Sequence, residues 1–73
     1  MLKKHLGMQI RKLRKEHGYS QEKFAESTDY SVDFISLVER GINTPSIEGC
    51  QRIADALQIS LSELFDFELP PMS

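Results

Sequence analysis

Residues 20–46 read SQEKFAESTDYSVDFISLVERGINTPS, and the fold is decided within this stretch. Ser20 offers a hydroxyl to the free N–H groups of a helix beginning at Gln21, and Ser31 repeats the device for a helix beginning at Val32. Phe24, Ala25 and Thr28 share one face of the first segment, while Ile35 and Val38 form the inward stripe of the second, which spans residues 32–40. Only residues 29–31 separate the two, so the connection is a tight turn. Such a turn needs a residue that tolerates positive φ, and Asp29 occupies that place at a cost of about 1 kcal/mol relative to glycine. Tyr30 follows as a turn residue whose side chain can fold inward, and Gly41 supplies the left-handed residue that ends the second helix. Helices crossing nearly at right angles need a small residue at their closest approach, where Ala25 falls.

Upstream, Leu2, Leu6, Ile10 and Leu13 recur at helical spacing with Lys3, Lys4, Arg11, Lys12 and Lys15 between them, predicting a first helix that ends near Gly18. Downstream, Asn43-Thr44-Pro45 is a turn, because proline disfavours helix in the residue before it. Ser46 caps a fourth helix carrying Ile47, Cys50, Ile53, Ala54 and Leu57, and Ser60 with Glu63 forms a capping box that opens a short fifth with Leu61, Leu64 and Phe65. No segment alternates with period two, so the expected fold class is all-α, with five helices and no sheet. One domain is expected over residues 1–67, followed by a flexible tail, 68–73, containing Pro70 and Pro71.

At 73 residues the chain has room for one small core, and 40% hydrophobic with 27% charged residues is the composition of a folded soluble domain. The first dozen residues lack the apolar run of a signal peptide, and no stretch of about 18 apolar residues occurs, so a cytoplasmic protein is expected. Cys50 is the single cysteine and cannot form an internal disulfide; with only His5 and His17 beside it, neither a metal site nor a cofactor is expected. The same scarcity, with no glycine-rich phosphate loop, leaves no set of nucleophile, base and oxyanion donors, so the chain is not read as an enzyme. The net charge of -2 conceals a strong asymmetry. Residues 1–23 hold seven Lys and Arg against two acids, and residues 24–73 hold two against nine. The first third of the chain, and not the whole domain, therefore carries the basic footprint expected of a nucleic-acid binder.

Ile10, Leu13 and Arg14 in the first helix, Ser20-Gln21 and Phe24-Ala25 in the second, and Ile35, Val38 and Glu39-Arg40-Gly41 in the third form a long set of matched positions. Together with Asn43-x-Pro45-Ser46, Ile53-Ala54-x-Ala56-Leu57, Leu61 and Leu64-Phe65, they resemble the Cro and lambda-repressor type of helix-turn-helix domain, the XRE-like family of bacterial and phage regulators. The resemblance covers residues 6–65. It implies five helices, the third inserted in the major groove of double-stranded DNA, and commonly a twofold homodimer on a palindromic operator. Two features depart from the family pattern. Asp29 stands where relatives usually have glycine, and the outward face of the third helix reads Val32, Asp33, Phe34, Ser36 and Leu37 where relatives are mostly polar.

By this resemblance Gln21, at the start of the second helix, bridges backbone and base contacts at a place where helix N–H groups attract phosphate. Arg14 and Glu39 match positions that form a partly buried ion pair in relatives. Asp33 has two readings, a favourable charge at a helix start or an acceptor for cytosine N4. Val32, Phe34 and Leu37 can meet thymine methyls, belong to the core, or bind a protein. Ser31, Ser36, Asn43 and Thr44 are short polar groups suited to phosphate oxygens, each with an alternative capping or turn role, and Lys23 and Arg40 border the motif. Acidic Glu63, Asp66 and Glu68 among apolar Leu64, Phe65, Phe67 and Leu69 suggest a surface for a second copy. The expected function is a DNA-binding transcriptional regulator, a repressor or small stand-alone controller. With no room for an effector domain, its control would come from concentration, proteolysis or a partner. The alternative is an antitoxin or protein-binding adaptor that uses the Val32, Phe34 and Leu37 face or the acidic tail.

Overall fold

A computed structural model describes residues 2–67; the expected tail, and Glu68 and Leu69 of the expected dimer surface, lie outside the described residues. The chain folds as α1 (Leu2–Glu16), α2 (Gln21–Thr28), α3 (Val32–Glu39), α4 (Ile47–Leu57) and α5 (Leu61–Leu64), with no strand among the described residues. None of these helices is long and apolar enough to cross a membrane.

The predicted caps form. Ser20 Oγ accepts from the N–H of Lys23 at 3.1 Å, Ser31 Oγ from Phe34 at 3.0 Å and Ser46 Oγ from Gly49 at 3.0 Å. Ser60 and Glu63 complete the capping box in both directions. Asp29 adopts the left-handed conformation with φ 62°. α3 ends one residue earlier than expected. Gly41 turns left-handed at φ 76°, and the N–H groups of Ile42 and Asn43 fold back onto the carbonyl of Leu37, leaving Arg40 as the cap. α5 likewise closes at Leu64, which leaves Phe65 outside the core stripe with 41% of its surface exposed. The left-handed Gln58 that ends α4, φ 59°, had no glycine to announce it.

The core joins Leu6 and Ile10 of α1, Phe24 and Ala25 of α2, Ile35 and Val38 of α3, Cys50, Ile53, Ala54 and Leu57 of α4, and Leu64 of α5. Each fully buried side chain of this size contributes about 1.5–3 kcal/mol relative to exposure. Two glycines set the helix spacing. A Cβ on Gly7 would stand 2.2 Å from the carbonyl oxygen of Val38, so α1 crosses α3 backbone against backbone. A Cβ on Gly49 would collide with the Tyr30 hydroxyl, because Tyr30 folds inward from the turn onto α4. Its ring stacks on Phe34 with centroids 4.5 Å apart, and the Arg52 guanidinium lies 4.8 Å over it. Arg52 Nε also donates to the carbonyl of Thr28 at 2.8 Å, satisfying an acceptor that the end of α2 leaves open. The second helix is thereby tied to the fourth.

Candidate nucleic-acid interface

With Ile35 and Val38 held in the core, the helical period turns Val32, Asp33, Ser36, Leu37 and Arg40 toward the outward side of α3. Val32, Asp33 and Arg40 are exposed, and Ser36 and Leu37 are half-buried. Phe34 is not part of this face. It packs against the core and stacks on Tyr30, so of its three sequence readings the structure realises the core contribution. Asp33 makes no hydrogen bond or ion pair among the described residues, since the N–H of Phe34 is already taken by Ser31.

Behind the outward face lies a network that joins three helices. Arg14 Nε donates to Glu39 Oε2 at 2.6 Å and Arg14 Nη2 to Oε1 at 3.1 Å, with the two side chains 8% and 2% exposed. Arg14 Nη1 donates to the carbonyl of Tyr19 at 2.8 Å, and Gln21 Nε2 donates to Glu39 Oε1 at 3.1 Å. The ion pair expected from the resemblance is therefore present, and it also orients Gln21. With its amide nitrogen held by Glu39, Gln21 keeps its side-chain oxygen and backbone N–H for an outside partner.

Gln21, Ser36, Glu39 and Arg40 line a small cleft together with Arg11, a residue absent from the sequence-predicted site. Arg11 lies one turn before Arg14 on α1, so the spacing of these arginines brings it to the same edge once Arg14 is docked on Glu39. Both carboxylate oxygens of Glu39 are occupied, and neither Arg11 nor Arg40 forms an ion pair among the described residues. The cleft thus pairs two uncompensated guanidinium groups with the start of α2, a combination that attracts anions.

The remaining predicted residues are more scattered. Lys23 is exposed on α2. Ser31 sits at the start of α3 with its hydroxyl oxygen committed to the cap, although its proton remains free to donate. Asn43 is half-buried just after α3, whereas Thr44 turns toward an apolar depression with Leu2, Pro45, Ile47, Cys50 and Phe65. This depression adjoins the expected dimer surface at Phe65. Leu64 is wholly buried and so closed to a second copy, whereas Phe67 stays half-buried with its ring 6.3 Å from that of His5. Exposed apolar area gathers instead at Leu2, 53% exposed, Ile47, 82%, and Phe65. Beneath them Cys50 is buried, and desolvation raises its thiol pKa above the ordinary value.

Residues 10–64 match the family HTH_3, described as helix-turn-helix. The chain belongs to the helix-turn-helix family. Among curated members, this helix-turn-helix chain is 45% identical over 58 residues to the uncharacterized HTH-type transcriptional regulator YazB of Bacillus subtilis (strain 168), covering 80% of this chain and 84% of YazB. It is 38% identical over 64 residues to the HTH-type transcriptional regulator SlrR of the same strain, covering 86% of this chain and 42% of SlrR. The chain therefore spans less than half of SlrR's length. Its fold superposes with a TM-score of 0.78 on the crystal structure of SinR, master regulator for biofilm formation, in complex with DNA. That match has 32% identity and covers 84% of this chain and 98% of the other.

Proposed function

We propose that this helix-turn-helix chain is a sequence-specific regulator of transcription that docks α3 in the major groove of double-stranded DNA. The observation that carries this reading is the Arg14–Glu39–Gln21 network, which pins Gln21 at the start of α2 between the free Arg11 and Arg40 and beside the exposed side of α3. Phosphate contacts from Gln21, Arg11, Arg40, Lys23, Ser31 and Asn43 would set the register, and the outward face of α3 would read the bases. The solved relative SinR carries DNA on this same fold, which supports the reading. The overall charge of -2 is no obstacle, because the basic groups are concentrated in residues 1–23.

A single domain makes few phosphate contacts, so the proposal includes a homodimer placing two α3 helices about 34 Å apart on a palindromic site. Its shared face is the apolar surface of Leu2, Ile47 and Phe65. As a cytoplasmic repressor or stand-alone controller, the protein would act by occupying its operator. The adaptor or antitoxin alternative is less well supported in the form that uses Val32, Phe34 and Leu37 as one free apolar face, since the Phe34 ring is held by Tyr30; its other form, through the acidic tail, rests on residues outside those described.

The test is selection from a random duplex pool, followed by affinity measured against salt concentration. A palindromic consensus should emerge, affinity should fall steeply with salt, and Gln21→Ala and Asn43→Ala should each weaken binding about ten-fold or more. Absence of any enriched sequence, with a salt slope near zero, would overturn the regulator reading. Sedimentation of wild type and Ile47→Lys tests the dimer; a wild-type monomer at micromolar concentration, unchanged by operator DNA, removes it.

A further inference from the structure

The outward side of α3 carries one carboxylate, in the first turn, that no other side chain or backbone group among the described residues engages. Asp33 is exposed, makes no hydrogen bond or ion pair among the described residues, and is not needed as a cap because Ser31 already accepts from Phe34. Ser36, Leu37 and Arg40 follow it at helical spacing on the same side. When α3 lies in a major groove, a negative charge at this point faces flanking phosphates and is repelled unless a base donates to it. An ionised carboxylate only accepts hydrogen bonds, and the donors on the major-groove edge are cytosine N4 and adenine N6. Adenine presents its acceptor N7 beside N6, so the second carboxylate oxygen would face a lone pair there. Cytosine has no acceptor on that edge.

We propose that Asp33 is a specificity-determining residue that accepts from cytosine N4 and requires one C·G pair at a defined position of each half-site. The inference rests on the DNA-binding reading above and names what that site selects. Leu37 lies four residues further on, about 6 Å along the helix axis. Base pairs stack about 3.4 Å apart, so its methyl groups meet a thymine methyl within two base pairs of that cytosine.

The experiment compares consensus sequences selected by wild type, Asp33→Asn and Asp33→Ala, with salt-dependent affinities and thermal unfolding measured for each. Wild type should fix cytosine at one position per half-site, preferring it about ten-fold or more over the other bases. Asp33→Asn should replace that cytosine by adenine, which an amide meets at both N6 and N7. Asp33→Ala should lose preference at that position alone and bind unrelated duplex several-fold more tightly, since a charge repelling phosphate is gone. If both variants keep the wild-type consensus while still binding DNA, the inference fails and the regulator reading stands; a lowered Tm with unchanged consensus assigns Asp33 to helix stability alone. If wild type enriches no sequence and shows no salt dependence, both fail together.

Discussion

Replacing Glu39 with glutamine preserves the size of the side chain and removes the charge on which three helices converge. In the wild type the carboxylate accepts from Arg14 Nε, Arg14 Nη2 and Gln21 Nε2, and the pair is almost fully shielded from water. An amide offers one acceptor oxygen and turns an NH2 group toward at least one of these donors. Arg14 would keep one neutral acceptor on residue 39 and the carbonyl of Tyr19, with no anion left beside its buried positive charge. Removing one partner of a buried ion pair costs about 3–5 kcal/mol. A 73-residue domain has roughly 4–11 kcal/mol of total stability, so the substitution takes the fold close to its limit. At about 4–8 °C per kcal/mol, a loss near 3 kcal/mol lowers Tm by roughly 12–24 °C. Urea denaturation followed by far-UV circular dichroism at fixed protein concentration measures this directly. The apolar replacement Arg14→Met with Glu39→Leu should recover most of that stability, because it removes both charges and fills the space. It should not recover DNA affinity, because Gln21 no longer has Glu39 to orient it. A Glu39→Gln protein within 1 kcal/mol of wild type, or a double variant no more stable than the single one, would refute this account of the network.

Three further outcomes follow from local geometry. Gly7→Ala should destabilise by about 1–3 kcal/mol in the same denaturation assay despite alanine's better helix propensity, since the added Cβ meets backbone oxygen of α3 rather than a movable side chain. Asp29→Gly should stabilise by up to about 1 kcal/mol, read as a rise of a few degrees in Tm, because the left-handed φ of 62° strains any residue with a Cβ. Cys50 should alkylate far more slowly in the native protein than in urea, since its thiol is buried and desolvation holds its pKa above the ordinary value; equal rates would show that the depression under Ile47 opens readily.

The helices were legible because their signals act over a few residues. Ser20, Ser31, Ser46 and Ser60 each bond an N–H three positions later, and Asp29 and Gly41 bend the chain where they stand. The apolar stripes Leu6 and Ile10, Ile35 and Val38, and Cys50, Ile53 and Leu57 are read from spacing alone. Gly7 escaped notice because what makes it necessary, the Val38 carbonyl, comes from a helix distant in sequence. Nothing local to Arg52 marks it either, because the open carbonyl of Thr28 and the ring of Tyr30 reach it only once α4 has packed. Arg11 joined the site for the same kind of reason, and Phe34 left the outward face because Tyr30 folded onto it.

By itself the sequence determined five helices, four of them opened by serine caps, their inward faces and the layout that places α3 on the surface, because those depend on hydrogen bonds and periodicity within single segments. The crossing of α1 over α3, the docking of Arg14 and Gln21 on Glu39, and the division of α3 into a stacked Phe34 and an unpartnered Asp33 were decided by tertiary packing. Each of these depends on groups far apart in the chain, and which side chains a helix keeps free is known only once its neighbours have taken the rest.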